Sequence, residues 1–187
     1  ASGGPRHAIG GLRLGTASDA EVDGEPSASS TSDGGDEDGV RFRELLIPGS
    51  TATIAVTMSN LAAAANLDYF FDFDGSGIFG DQPNEIFHAS LAAPTSSLPV
   101  EIPPDARVGI TAARFRLSTA GQLSPYGFAA DGEVEDYAIF LQDWGDAPYA
   151  TLSADSGARH QLLTPTFCLG ATVSGEVTIT DRVEPVS

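Results

Sequence analysis

The residues best placed to do chemistry lie in Phe71-Asp72-Phe73-Asp74-Gly75-Ser76-Gly77-Ile78-Phe79-Gly80-Asp81. Oxygen-bearing side chains fall at alternate positions, Asp72, Asp74 and Ser76, and Gly77 follows them. A loop that coils around a hard cation needs this spacing, because alternate oxygens turn inward and glycine takes the sharp turn. The Ile78 carbonyl would add a backbone ligand. Asp81 and Glu85 lie far enough on to complete about six or seven oxygen ligands. The expectation is a calcium ion bound by Asp72, Asp74, Ser76, Ile78, Asp81 and Glu85. The loop is not a standard EF-hand. Pro83 stands where that motif carries a bidentate glutamate, and a strand-like aromatic run precedes Asp72. A solvated Asp/Gly turn in an acidic protein is the plain alternative.

Two further acidic groups carry weaker signals. Asp36-Glu37-Asp38-Gly39 precedes a strand and could chelate a cation or cap a turn. In Asp131-Gly132-Glu133-Val134-Glu135-Asp136-Tyr137, the alternation of a strand puts Glu133 and Glu135 on one face. Arg114 and Arg116 share a face of another strand by the same rule. Cross-strand ion pairs between these two sets are the simplest expectation. Each would be worth about 0.2–1 kcal/mol at an exposed site.

Catalysis finds little support, and the chain reads as a non-enzyme. His7, His88 and His160 are the only histidines, no His-Glu-x-x-His occurs, and no serine sits in a nucleophile elbow. Cys168, in an apolar strand-like setting, reads as a small core residue. Trp144 reads as a packing anchor in a turn.

The elements that must position these residues follow from composition and pattern. The chain has 187 residues, 41% of them hydrophobic, enough for one well-packed domain and too many for global disorder. Twenty-one glycines and 12 prolines point to a loop-rich β protein. Twenty-six acidic against nine basic residues give a net charge of −17, and all nine basic residues are arginine. A polyanion of this kind repels phosphate backbones and anionic bilayers, which excludes nucleic-acid binding. The absence of lysine removes Schiff-base chemistry and Lys–Asn cross-links. A single cysteine excludes an internal disulfide, so bound cations are the natural source of extra stability. No run approaches the roughly 18 apolar residues of a membrane helix, so no membrane insertion is expected. With no initiator methionine and no leader, the chain reads as a mature protein or an excised piece.

Thr51–Met58 alternates as a half-buried strand; Leu67–Phe73, Val100–Ile102, Arg107–Ser118 and Glu133–Leu141 also read as strands, and Val40–Ile47 precedes a Pro-Gly turn. Asn60–Asn66 could form one or two helical turns. The predicted fold is all-β, an antiparallel β-sandwich of the Ig-like or jelly-roll-like kind with long acidic loops. The predicted boundaries are an acidic loop-rich linker at 1–39, the sandwich at 40–142, and at 143–187 the start of a further repeat copy plus a C-terminal strand. The repeat signal is Gly4-Pro5-Arg6-His7 echoed by Gly157-Ala158-Arg159-His160, with Leu14-Gly15 echoed by Leu169-Gly170. Two of the three histidines fall in this element, which suggests a repeated structural contact.

Asp131-Gly132-Glu133-Val134-Glu135-Asp136-Tyr137, preceded by Arg114-Phe115-Arg116-Leu117-Ser118, resembles the signature of the GEVED domain, a family of large secreted and surface proteins of bacteria. Phe70 to Phe79 is similar to that family's strand and Asp-rich calcium-type loop, with Phe70 where Trp is usual and Ser76 where Asp is usual. Asp143-Trp144-Gly145-Asp146-Ala147-Pro148 through Gly157-Ala158-Arg159-His160 and Leu169-Gly170 resembles a companion repeat between such domains. The resemblance implies a calcium-stabilised structural module of an extracellular surface or adhesin-like protein. Its expected partners are copies of itself or neighbouring domains. Val173–Ser187 departs from the pattern and is β-favouring, which suggests head-to-tail assembly into a filament through the terminal segments. The competing expectation is a carbohydrate- or ligand-binding module on the same fold, with an exposed strip from Tyr69, Tyr126, Trp144 and Tyr149.

Overall fold

The computed structural model describes residues 4–8, 11–16, 38–60 and 64–144, and the backbone of 159–161. Its strands are β1 (Arg6–His7), β2 (Arg13–Leu14), β3 (Val40–Phe42), β4 (Thr51–Ser59), β5 (Ala65–Phe71), β6 (Ile86–Leu91), β7 (Thr95–Glu101), β8 (Gly109–Ser118), β9 (Phe128–Ala129), β10 (Glu133–Trp144) and β11 (Arg159–Gln161). A 3-10 turn, Pro83–Glu85, precedes β6. No α-helix occurs among the described residues, so none there is long and apolar enough to cross a membrane.

The fold is all-β, as its strand patterns predict. One antiparallel sheet runs β11-β10-β8-β5-β6. In the other, β4 pairs with β7 along one edge and with β3 and β2 along the opposite edge. The two sheets face each other across a common apolar core. Ile54, Val56 and Met58 of β4 and Val100 of β7 come from one side; Leu67 and Phe71 of β5, Phe115 and Leu117 of β8, and Ile139 and Leu141 of β10 come from the other. Phe42 of β3 crosses the gap edge-on to Phe71, Phe115 and Tyr137. Burying aromatic rings at these angles adds quadrupole attraction to the apolar burial that holds the sheets together.

Several expectations are corrected here. The segment 1–39 is not simply a linker. β1 pairs in parallel with β9 and β2 pairs with β4, and Leu14 is fully buried in the core. Residues 17–37 of that segment lie outside the described residues. The predicted boundary at 142 falls inside β10, which continues to Trp144 and pairs there with β11. Of the stretch Val40–Ile47, only Val40–Phe42 forms a strand. Beyond it the Glu44 carboxylate accepts the Thr53 amide at 2.6 Å, so a side chain replaces the ladder, and only Leu46 returns as a bridge to Leu141. In the stretch read as helical turns, Asn60 adopts a left-handed conformation and Ala65–Asn66 already belong to β5; residues 61–63 are not described.

The outer face of the five-stranded sheet is covered by loops. Asn66 and Asp68 of β5, Arg114, Arg116 and Ser118 of β8, and Asp136 of β10 point outward, because they alternate with core residues. The loop from Thr119 to Gly132 folds over them. The Asn66 side chain donates to the Thr119 carbonyl at 3.0 Å, and the amides of Gln122 and Leu123 donate to the Asp68 carboxylate at 3.2 and 2.9 Å.

Candidate functional site

The 72–85 loop leaves the end of β5 and returns through the 3-10 turn to β6. Its root is fixed to β8: the Asp72 amide donates to the Ala112 carbonyl at 3.0 Å, and the Thr111 hydroxyl donates to the Asp72 carbonyl at 2.5 Å. The coil itself is wound by its own acids. Asp72 accepts the amides of Ser76 and Gly77 at 2.9 and 3.0 Å, and Asp74 accepts the Ser76 amide at 2.9 Å. Gly75 and Gly77 take positive φ of 66° and 80°, the left-handed turns that let the chain wrap.

Glu85, fully buried, closes the loop from the far side. It accepts the Phe73 amide at 2.9 Å and the Gly80 amide at 3.2 Å. One carboxylate oxygen from each of Asp72, Asp74 and Glu85 lies within 4.8 Å of the others. The remaining predicted ligands form the loop's outer part. The Ser76 hydroxyl donates to Asp81 at 3.1 Å and lies 3.5 Å from the Ile78 carbonyl. Burial pushes the Glu85 carboxyl above its usual range, while the Ser76 amide holds Asp74 below its own. Among the described residues Arg114 pairs with Asp136 and the His88 imidazole bonds to Asp68, and neither contact reaches this cluster. Arg107 does approach the loop, but its guanidinium donates to the Gly75 carbonyl at 3.2 Å. Three acids thus converge with no cationic side chain among the described residues bound to them. The donor set is all oxygen, the chemistry of a hard cation and not of a soft metal.

Of the second acidic group, only Asp38 and Gly39 are among the described residues. Asp38 accepts the Thr16 amide at 2.9 Å and the Thr16 hydroxyl at 2.6 Å, tying the N-terminal segment to the start of β3. Asp36 and Glu37 lie outside the described residues.

The expected ion pairs between Arg114, Arg116, Glu133 and Glu135 do not form. β8 and β10 are registered so that Glu133 opposes Leu117 and Glu135 opposes Phe115, which puts both glutamates on the core face. Arg114 instead faces Asp136 and grips it with two bonds of 2.7 and 2.5 Å, its guanidinium 5.0 Å from the Phe79 ring centroid. The buried glutamates hold backbone. Glu133 accepts the Leu14 amide at 2.6 Å; Glu135 accepts the Gly39 amide at 3.0 Å and the Tyr137 hydroxyl at 2.9 Å. Burial raises the Glu135 carboxyl to about 7, against the pull of these donors.

Arg116, fully buried, is the centre of a cradle under the 119–132 loop. It donates to the carbonyls of Ser124, Tyr126 and Gly127 at 2.6, 2.8 and 2.9 Å, and through Nε to His7 Nε2 at 3.1 Å. His7 Nδ1 in turn donates to the Asp131 carbonyl at 2.7 Å. Burial first, then the Arg116 charge, hold the imidazole down at about 4, so it is neutral at ordinary pH. Sequence reading did not find this cradle, although Arg116 alternating with Phe115 and Leu117 places it on the outer face.

Tyr69 is buried in the core, stacked between Phe87 and Phe115, and cannot join an exposed aromatic strip. Tyr126 and its neighbour Phe128 are exposed. Tyr149, Cys168 and Val173–Ser187 lie outside the described residues, as does the Trp144 side chain.

A family model described as the GEVED domain matches residues 66–140. That span runs from β5 into β10 and contains both the 72–85 loop and the buried glutamates. The match does not extend to the flanking repeat segments. No curated protein and no solved structure matches the chain.

Proposed function

We propose that the GEVED domain at residues 66–140 is the body of a calcium-stabilised structural module, a non-enzymatic part of an extracellular bacterial surface or adhesin-like protein that assembles head-to-tail through its terminal segments. The observation that carries this reading is the convergence of Asp72, Asp74 and Glu85 within 4.8 Å. Three carboxylates this close repel one another, and a divalent cation turns that repulsion into attraction. Because the ion binds the folded loop and not the open chain, its binding energy becomes folding energy. The net charge of −17 amplifies the effect by raising the self-repulsion that cations relieve. Ser76 and Asp81 and the Ile78 carbonyl lie alongside as further hard donors.

The experiment is a thermal melt in millimolar calcium and in excess chelator. The melting temperature should drop by several degrees or more on chelation. An unchanged melt removes the calcium reading. A second reading, a carbohydrate- or ligand-binding module, draws on the exposed pair Tyr126 and Phe128. It requires a glycan or ligand whose binding is lost in Tyr126→Ala.

A further inference from the structure

β1 contributes two residues to the fold, and both are read by the cradle. The Arg6 amide donates to the Gly127 carbonyl at 2.9 Å and the Ala8 amide to the Ala129 carbonyl at 3.1 Å, so the strand is added to the edge of β9. His7 is held at both ring nitrogens, by Arg116 and by the Asp131 carbonyl. The Arg6 side chain is exposed. The sequence spells this docking strand twice, as Gly4-Pro5-Arg6-His7 and as Gly157-Ala158-Arg159-His160.

The cradle that holds the first occurrence and β11, the described part of the second, lie at opposite ends of β10. The cradle lies at the start of β10, where Val134 opposes Arg116. β11 pairs with the other end of β10, Trp144 opposite Arg159. At about 3.3 Å per residue the length of β10 separates them by on the order of 30 Å. β11, the described part of the second element, therefore stands well away from the cradle, which β1 already fills.

We infer that the Arg116 cradle is an acceptor site for a Gly-x-Arg-His strand, and that Gly157–His160 is the donor that fills it on a second copy of this chain. Acceptor and donor at opposite ends make a heterologous contact, which propagates as an open chain of copies and does not close into a dimer. The inference rests on the scaffold reading above and names the site and strand through which the scaffold would grow.

The test is sedimentation velocity on the full chain in millimolar calcium. In the unaltered chain the tethered β1 competes at high effective concentration, so association is weak. His7→Ala loosens the resident strand and should lower the concentration for half-association at least tenfold. Arg6→Pro, which deletes the Arg6 amide donor and leaves the half-buried His7 in place, should do the same if His7→Ala proves too unstable to use. Adding His160→Ala to either should return the chain to a monomer. A half-association concentration that does not move on opening the cradle overturns the inference, and so does association that survives His160→Ala. The calcium melt of the same samples separates the two readings. A chain that stays monomeric yet melts higher in calcium removes the acceptor alone, and association without a calcium response removes the calcium scaffold alone.

Discussion

Arg116 Nε and His7 Nε2 meet at 3.1 Å although 109 residues separate them. Only a neutral imidazole can accept that bond. The folded state therefore favours deprotonated His7, whose value is lowered from the ordinary 6.5 to about 4. The sign follows from linkage: a depressed histidine contributes stability that is complete above pH 6.5 and is lost as pH falls toward 4. His7→Gln should show a shallower loss of stability over that window, measured by denaturant unfolding at several pH values. An unchanged slope would mean that β1 does not couple to His7 protonation.

Glu135 works in the opposite direction. Its value is raised from 4.5 to about 7, so its contribution is complete below pH 4.5 and is lost as pH rises through about 7. The full shift corresponds to on the order of 3 kcal/mol. Glu135→Gln should remove this slope and gain relative to the parent on going from pH 5 to pH 8. Denaturant midpoints at the two pH values check it.

Asp74 and Glu85 separate metal binding from apo stability. Asp74 is exposed and Glu85 is fully buried on the Phe73 and Gly80 amides. In chelator, Asp74→Asn should melt close to the parent, while Glu85→Ala, which strands the Phe73, Asp74 and Gly80 amides, should cost about 1–3 kcal/mol. Both should lose most of the melting-temperature gain in calcium. Calorimetric titration with calcium chloride checks the second half directly.

Gly132 and Gly77 both hold positive φ, of 87° and 80°, yet differ in surroundings. A Cβ on Gly132 would sit 1.8 Å from the Leu117 carbonyl oxygen, while Gly77 has nothing within 4 Å. Gly77→Ala should cost about 1 kcal/mol of backbone strain. Gly132→Ala must move the β8–β10 pairing and should cost several times as much in equilibrium unfolding.

The core was legible where alternation ran long. β4, β8 and β10 announce themselves by their period, and the 72–85 loop by its oxygen spacing. The roles of Glu133 and Glu135 were not read correctly, although the series Glu133, Glu135, Tyr137, Ile139 and Leu141 shares one face and ends in apolar residues. Charge suggested solvent, and the pattern pointed to the core; the pattern prevailed because backbone amides of Leu14 and Gly39 supply the donors that burial requires. Those donors come from a segment too polar and too short in its strands to be recognised as structure. β1 and β2 are two residues each, below what periodicity can register.

The Glu133–Leu14 bond has a mechanical corollary. β10 begins at that glutamate and ends at Trp144, and Leu14 also pairs with Met58 of β4. Tension drawn between residue 14 and residue 144 would pass through one carboxylate and along one strand. The backbone of β10 would carry it from end to end, and the β5–β6 side of the same sheet would stay almost slack.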